Sequence, residues 1–388
     1  MKEPKLRFKA DDGSDFPDWE DVCFGSLYEK NMERNTELEF DSSKTISIAS
    51  MSFKEQGNGA SEDSLTTYKV LRIGDIAFEG HENKEYKYGR FVLNDIGDGI
   101  MSPRFSCLRP VSKQVRGFWK YYIHLEQVMK RILVRATKKG TMMHELVIPD
   151  FLKQSIMVPS LPEQQKIADF LSTIDTIIEK QRATVLAWEE RKKGVMQKLF
   201  SQEVRFKADD GSDFPDWEEK RLEDVVEFLD EKRKPLEAGK RVAGKYPYYG
   251  ASGIIDYVED YIFDEELILL SEDGANILDR NYRVCFLAKG KYWVNNHAHV
   301  MKAKKGNLNY FICEELETFD YRKYNSGGAQ PKLNQASCRS IVVKIPSLSE
   351  QQKIADFLSA LDTVIQKQKE TLEKWQELKK GLLQQMFV

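Results

Sequence analysis

In two stretches of the chain, apolar residues recur at steps that alternate between four and three. The first runs Ile167, Leu171, Ile174, Ile178, Gln181, Val185, Trp188, Lys192, Val195 and Leu199. The second runs Ile354, Leu358, Leu361, Ile365, Gln368, Leu372, Trp375, Lys379, Leu382 and Met386. A period of about 3.5 residues held for more than four heptads is a coiled-coil pattern. It predicts two long amphipathic helices, over residues 159–200 and 346–388. Pro162 suits the first turn of one. Ser349 with Gln352 forms a capping-box pattern that opens the other. A helix of some 37 residues spans roughly 55 Å, and a stripe of that length needs a partner helix to cover it. The other copy is the natural partner, in an antiparallel pair with an approximate internal two-fold axis. Gln181, Gln368, Lys192 and Lys379 interrupt the apolar seam, a device that costs stability and penalises wrong registers.

The helices belong to a wider internal duplication. The string RFKADDGSDFPDWE occurs at Arg7 to Glu20 and again, unchanged, at Arg205 to Glu218, an offset of 198. EQQKIADFLS occurs at Glu163 to Ser172 and at Glu350 to Ser359, an offset of 187. The block between the repeats is therefore 11 residues longer in the first half. The plan reads as an N-terminal segment (1–20), a variable block (21–158), a helix (159–200), a linker repeating the first segment (201–218), a second variable block (219–345) and a second helix (346–388). In an antiparallel pair the end of the second helix lies near the chain start, mimicking the continuous join from Phe200 to Arg205. Phe8, Phe16, Trp19, Phe206, Phe214 and Trp217 are expected to pack against helix ends.

The two blocks show no mutual resemblance by eye. Both hold short apolar runs broken by Gly, Asn and Asp, with helical stretches near Phe118 to Arg131 and Leu308 to Leu316. Each reads as an α+β domain. The fold class is thus α+β, two globular domains alternating with two long paired helices. A repeated scaffold that carries two unlike inserts presents two different surfaces.

Composition narrows the function. With 388 residues, 41% hydrophobic and 31% charged, the chain folds as several domains. No apolar run approaches the eighteen or so residues of a membrane span, and the N-terminus lacks the apolar stretch of a secretory signal, so the expected location is the cytoplasm. The five cysteines stand singly and read as plain thiols. With 59 basic and 62 acidic residues, the overall balance gives no vote for nucleic acid.

Catalytic and cofactor chemistry finds no footing. Gly239 to Lys245, GKRVAGK, has phosphate-loop spacing, but Tyr246 replaces the Ser or Thr and no apolar strand precedes it. His297 and His299 alternate in a strand pattern without a third ligand at metal spacing, so they read as a structural or DNA-facing pair. No methyltransferase, nuclease or glycine-rich cofactor motif is present, and no site is assigned to metal. Local basic and amide-rich clusters do suit DNA, because cations attract phosphates while Asn, Gln and Arg read base edges. In block one the DNA-facing candidates are Arg104, Lys113, Arg116, Arg135, Lys138 and Lys139. In block two they are Asn295, Asn296, His297, Lys302, Lys304, Lys305, Gln330, Lys332 and Asn334.

PSLPEQQKIADFLS from Pro159, its second copy from Pro346, and the helix ends from KKG to Phe resemble the specificity (S) subunits of type I restriction–modification systems. In block two YPYYGASG from Tyr246, SEDG from Ser271, WVNNHAHV from Trp293 and GGAQPKLN from Gly327 resemble that family's target-recognition domains. Block one is similar more loosely, through GDGIMSPRFSCLRP. The resemblance covers essentially the whole chain. It implies a non-catalytic subunit that reads an asymmetric bipartite site on double-stranded DNA, one half per block, with the paired helices as spacer. It also implies two methyltransferase (M) and two restriction (R) subunits as partners, with S-adenosylmethionine, ATP and magnesium on those partners and no cofactor on this chain. Two rival readings remain open: an enzyme carrying its own recognition domain, and a coiled-coil adaptor whose two domains bind proteins, which the slightly acidic net charge of −3 favours.

Overall fold

Two helices of 40 residues each, Leu161–Phe200 and Leu348–Phe387, occupy the striped stretches. The computed structural model describes residues 4–54, 57, 59, 61–141 and 143–388. The chain divides into two units, residues 1–182 with 371–388, and residues 183–370. Each unit therefore owns the start of one long helix and the end of the other. In unit one the seam residues Ile167, Leu171, Ile174 and Ile178 are buried, and Met386, Phe387 and Leu382 join the same apolar cluster as Ile167 and Leu171. Lys379 meets Asp175 at 2.5 Å. In unit two Met196 and Leu199 share a cluster with Ile354, Leu358 and Leu361, Lys192 meets Asp362 at 2.7 Å, and Lys369 meets Glu189. Numbers rise along one helix as they fall along the other, so the helices run antiparallel within each unit. Val185 and Ile365 are buried, whereas Gln181, Gln368 and Leu372 are half-buried.

The second helix starts earlier than its Ser349–Gln352 pattern suggests. Ser347 is the cap: its carbonyl accepts from the Gln351 amide at 3.0 Å and its hydroxyl from the Glu350 amide at 3.4 Å. The sequence Ser347-Leu-Ser-Glu350 has capping-box spacing too. Its Glu350 side chain, however, is taken by a longer-range partner.

That partner explains the repeated strings. Glu350 is fully buried and receives both Nε and Nη2 of Arg205, at 3.1 and 2.8 Å; Nη2 also donates to the carbonyls of Phe214 and Pro215. In unit one Glu163 holds Arg7 at 3.1 and 2.9 Å, and that guanidinium reaches the carbonyls of Phe16 and Pro17. The next residue of each string, Gln164 or Gln351, accepts from a block amide, Val115 or Leu308. The following lysines, Lys166 and Lys353, donate to the carbonyls of Lys9 and Lys207. The repeat thus ties linker, helix and block together through one turn of helix. Phe8 packs on Phe170 and Phe206 on Phe357, while Trp19 and Trp217 contact Phe118 and Phe311 of the blocks. The two junctions also match at the backbone: the Leu6 amide donates to Gln385 O in unit one, and the Val204 amide to Lys198 O in unit two.

The blocks share one topology despite their unlike sequences. In block one, strands β1 (Glu20–Cys23), β2 (Tyr28–Lys30), β3 (Ile46–Ser47), β4 (Ser52–Phe53), β5 (Lys69–Leu71), β6 (Ile76–Glu79), β7 (Arg90–Leu93), β8 (Gly99–Met101), β9 (Ser106–Pro110), β10 (Thr137–Lys139), β11 (His144–Leu146) and β12 (Ser155–Val158) follow in order. The main sheet is antiparallel with order β2-β9-β6-β7, and β1 pairs with β12 where the chain enters and leaves the block. Block two has β13 (Glu218–Arg221), β14 (Val226–Phe228), β15 (Ala243–Gly250), β16 (Gly253–Val258), β17 (Phe263–Asp264), β18 (Leu267–Ser271), β19 (Cys285–Ala288), β20 (Lys291–Val294), β21 (Ala298–Ala303) and β22 (Val342–Ile345). Its main sheet has order β14-β21-β18-β19, and β13 pairs with β22. Leu108 pairs with Ile76 and Lys30, just as Met301 pairs with Ile268 and Phe228. The pair β5–β8 answers to β17–β20, and the hairpin β3–β4 to the longer hairpin β15–β16. Each block lays a helix, Arg116–Tyr122 or Asn309–Glu317, against its pair of long helices. The predicted helical stretch at Phe118 to Arg131 is in fact two helices, Arg116–Tyr122 and Glu126–Ala136.

Removing one partner from a buried ion pair leaves a desolvated charge, a loss of about 3–5 kcal/mol. Arg205→Ala should therefore lower the thermal stability of the protein clearly more than Lys207→Ala, whose side chain is exposed. Differential scanning calorimetry checks it; equal melting temperatures for the two variants would show that the Glu350 contact does not anchor the linker.

Candidate nucleic-acid interface

In each block four connecting segments meet at one end of the main sheet. In block two these are the β15–β16 turn, the Ser271–Gly274 stretch after β18, the Asn295–His297 turn before β21 and the loop from Asn325 to Lys332. Ser271 Oγ donates to Ala251 O, the Glu272 amide to His297 O, the Gly274 amide to Pro331 O, and the Leu333 amide to Glu272 O. The Asn295 amide donates to Tyr249 O. Four strings that the sequence singles out separately thus form a single surface. In block one the β3–β4 turn, the segment Gly80–Gly89, the Ser102–Phe105 turn and the β10–β11 hairpin take these places. Arg90 donates to Ala49 O at 2.8 Å, and the His144 amide to Gly80 O at 2.8 Å.

The ladder registers make the correspondence specific. Counting back four residues from the paired positions Leu108 and Met301 reaches Arg104 and His297. Arg104 and His297, one from each block, therefore stand at the same structural position. Gly140 and Gly327 correspond likewise. A Cβ at Gly140 would lie 2.5 Å from Met143 O, and one at Gly327 only 2.0 Å from Gln330 O, so each loop needs a glycine there to fold back on itself.

The candidates divide between the two ends of the sheets. At the interface end lie Arg104, exposed with its guanidinium over Phe105, and Lys138 and Lys139 on β10, with Lys138 paired to Glu145. Arg135 lies exposed in the last turn of the helix leading into β10. Asn296, His297, Gln330 and Lys332 are exposed at the same end in block two; His297 Nδ1 donates to Asp273 at 2.8 Å, and Lys332 lies 3.3 Å from Glu272. Asn295 and Asn334 are there but play internal parts. Asn295 is buried and accepts from the His297 amide, and Asn334 caps the helix Gln335–Arg339. The other candidates lie at the opposite end. Lys302 pairs with Glu265, Lys304 donates to Glu223 O, and Lys305 follows it; Lys302 is roughly 17 Å of extended strand beyond His297. Lys113 and Arg116 follow β9 in the same way, and Lys113 lies beside Trp119 and Gln164 near the start of the long helix. A run of charge announces exposure, not which end of a strand it occupies.

A buried ion network braces this surface in block two. His299, fully buried, gives Nδ1 to Asp230 at 2.7 Å and Nε2 to Leu333 O at 2.7 Å. Both partners are acceptors, so both ring nitrogens carry protons. Burial opposes the charge, but the Asp230 carboxylate outweighs it and holds the imidazolium pKa up to about 10. Asp230 also accepts from the Val300 amide and from Gln335, and Arg233 bridges to Glu272 at 2.7 Å. His299 thereby pins the base of the Asn325–Lys332 loop to β21. The sequence marks His299, but its partners lie 69 and 34 positions away and leave no local signal. Block one has an ion network of its own at the far end of its sheet, where Arg109, the counterpart of Lys302, bridges buried Asp75 and half-buried Glu33. Among the described residues no group of three or more His, Cys, Asp or Glu is placed to hold a metal ion, and no helix is long and apolar enough to cross a membrane. Gly239–Lys245 lies in a short 3-10 turn and the start of β15, not between a strand and a helix.

Because the folded pKa of His299 lies above the unfolded value of about 6.5, its stabilisation is fully present below that value and is lost as pH rises through about 10. His299→Gln should cost about 2–5 kcal/mol at neutral pH. The gap in melting temperature between wild type and variant should narrow as pH rises towards 10. A gap constant from pH 6 to 10 would mean that the histidine is neutral.

Residues 17–187 and 215–374 each match the family model of the type I restriction modification DNA specificity domain. A putative type I restriction enzyme MjaX specificity subunit from Methanocaldococcus jannaschii is 26% identical over 378 residues, covering 87% of this chain and 83% of that protein. A putative specificity subunit from Haemophilus influenzae, S.HindORF215P, is 39% identical over 142 residues, which span 36% of its length. Among solved structures, the S subunit of a type I restriction–modification system from M. genitalium superposes with a TM-score of 0.57 at 17% identity, covering 100% of this chain and 99% of that one. A chain from a study of complex assembly and conformational transition in the type I system gives 0.53 at 16% identity, covering 96% of this chain and 98% of that one. With the family's domain present twice, on two copies of the same helix-and-block unit, the chain belongs to the specificity subunits of type I restriction–modification systems, non-catalytic subunits of DNA recognition.

Proposed function

We propose that the chain reads an asymmetric bipartite site on double-stranded DNA, one half-site per block, and directs partner subunits to it. The observation that carries this reading is the interface built twice at corresponding positions from unlike residues. Arg104 answers to His297, and the Lys139–His144 turn to the Ser326–Pro331 loop. A shared scaffold with divergent tips suits two different short sequences, since phosphates hold any sequence while base edges demand particular side chains. Arg104, Lys138 and Lys139 would serve one half-site; Asn296, His297, Gln330 and Lys332 the other.

The repeated parts suit partners that come in identical copies. Two M subunits would dock on the duplicated helices and linkers, and two R subunits would join them. S-adenosylmethionine, ATP and magnesium would then be held by those partners. The adaptor reading differs in one measurable respect, since association through cation–phosphate contacts weakens steeply with salt. The paired helices would fix the distance between the half-sites, as rigid spacing does in other DNA readers.

Substituting Arg104 or His297 by Ala in the assembled methyltransferase should relax or abolish recognition of one half-site each. Loss of a good base contact weakens discrimination at that position by about 1–3 kcal/mol. Inserting one heptad in both long helices should change the distance between half-sites and leave both half-site sequences intact. Mapping methylated bases in cells carrying each variant tests both outcomes; a heptad insertion that altered the half-site sequences would refute the spacer role.

A further inference from the structure

In each unit both long helices and the block meet at a single carboxylate. In unit one Asp175 of the first helix accepts Lys379 of the second at 2.5 Å and the Tyr121 hydroxyl of the block at 2.6 Å; the Lys379 ammonium lies over the Tyr121 ring. In unit two Asp362 of the second helix accepts Lys192 of the first at 2.7 Å and the Tyr310 hydroxyl at 2.5 Å. Lys192 also meets Glu314 of the block at 2.9 Å, and Arg283 meets Glu314 from the other side at 2.6 Å.

The aspartates and lysines come from the repeated helices, so their recurrence follows from duplication. The tyrosines do not. Tyr121 and Tyr310 belong to unlike blocks and sit one helical turn apart in corresponding helices. The residue that corresponds to Tyr121 is Glu314, and the one that corresponds to Tyr310 is Gly117. Two different positions deliver a hydroxyl to the same aspartate, so the contact cannot be a copied relic. Apolar packing such as Gly117 against Ala168 in block one is not directional. A hydrogen bond and an ion pair sharing one carboxylate are directional and fix the angle.

Resting on the reading of a bipartite site, we propose that Asp175 with Tyr121 and Lys379, and Asp362 with Tyr310 and Lys192, are positioning residues that set the angle of each recognition block on its helix pair. They thereby restrict recognition to a single number of base pairs between the half-sites. They touch no base, so their loss relaxes spacing without changing sequence.

The test uses the full chain assembled with its methyltransferase, with methylated bases mapped genome-wide. Tyr121→Phe and Tyr310→Phe remove only the hydroxyls, and Asp175→Ala and Asp362→Ala remove the hub. The expected result is about a tenfold rise in methylation at sites whose gap is one base pair longer or shorter, with both half-site sequences unchanged. Exchanging the charges, Lys379→Asp with Asp175→Lys, should restore part of the stringency lost in Asp175→Ala. A merely structural role would lower the melting temperature and total methylation without widening the spacing. Unchanged spacing in the Phe and Ala variants overturns the proposal. A wild-type complex that methylates no divided site overturns the bipartite reading itself, and the proposal with it.

Discussion

A forty-residue helix with an apolar stripe cannot cover that stripe alone, and every other feature of this protein follows from how it is covered. In each unit the start of one long helix lies antiparallel to the end of the other, and the block adds its own helix to the same cluster. Neither unit is complete from one contiguous half of the chain. The duplicated buried pair Glu163–Arg7 or Glu350–Arg205 then fastens the linker, and the neighbouring glutamine fastens the block. Residues that look like a family signature are the joints of a frame.

The frame frees the rest of each block to vary. The main sheets have the same strand order and the same registers, although the sequences between the repeats have diverged beyond recognition by eye. Register survives because the central strands β6 and β18 are buried along nearly their whole length, where any apolar residue of suitable size will do. The turns at one end of the main sheets differ in residue chemistry. There a lysine-rich hairpin in block one answers to a glycine- and amide-rich loop in block two, and only the glycine that permits the tight return is common to both. Conformity in the frame with divergence at the tips is the arrangement a two-part reader needs.

Much of the frame is legible in the sequence. A period held over more than four heptads leaves little choice but a long helix, and exact repeats mark the joints. The common topology of the blocks is not legible, because strands of two to eight residues pair across separations that leave no periodic trace. The interface is half legible. YPYYGASG, SEDG, WVNNHAHV and GGAQPKLN name its four segments in block two, yet Lys302, Lys304 and Lys305 fall at the far end, since composition does not encode which end of a strand faces which way. The His299–Asp230 pair and the tyrosine junctions depend on distant partners and are visible only once the chain has folded. The start of the second helix at Ser347 rather than Ser349 shows the same limit locally: two serines compete for one cap, and the deciding Glu350 contact lies 145 positions away.

The central claim is that two unlike blocks on one duplicated frame read two unlike half-sites. It is tested most directly by mapping methylated bases across the genome of the source cells with and without this gene. The account predicts the loss of one class of methylated sites, divided into two different halves with a fixed gap. Methylation that does not change when the gene is removed, with its transcription and that of its partner methyltransferase verified, would contradict it.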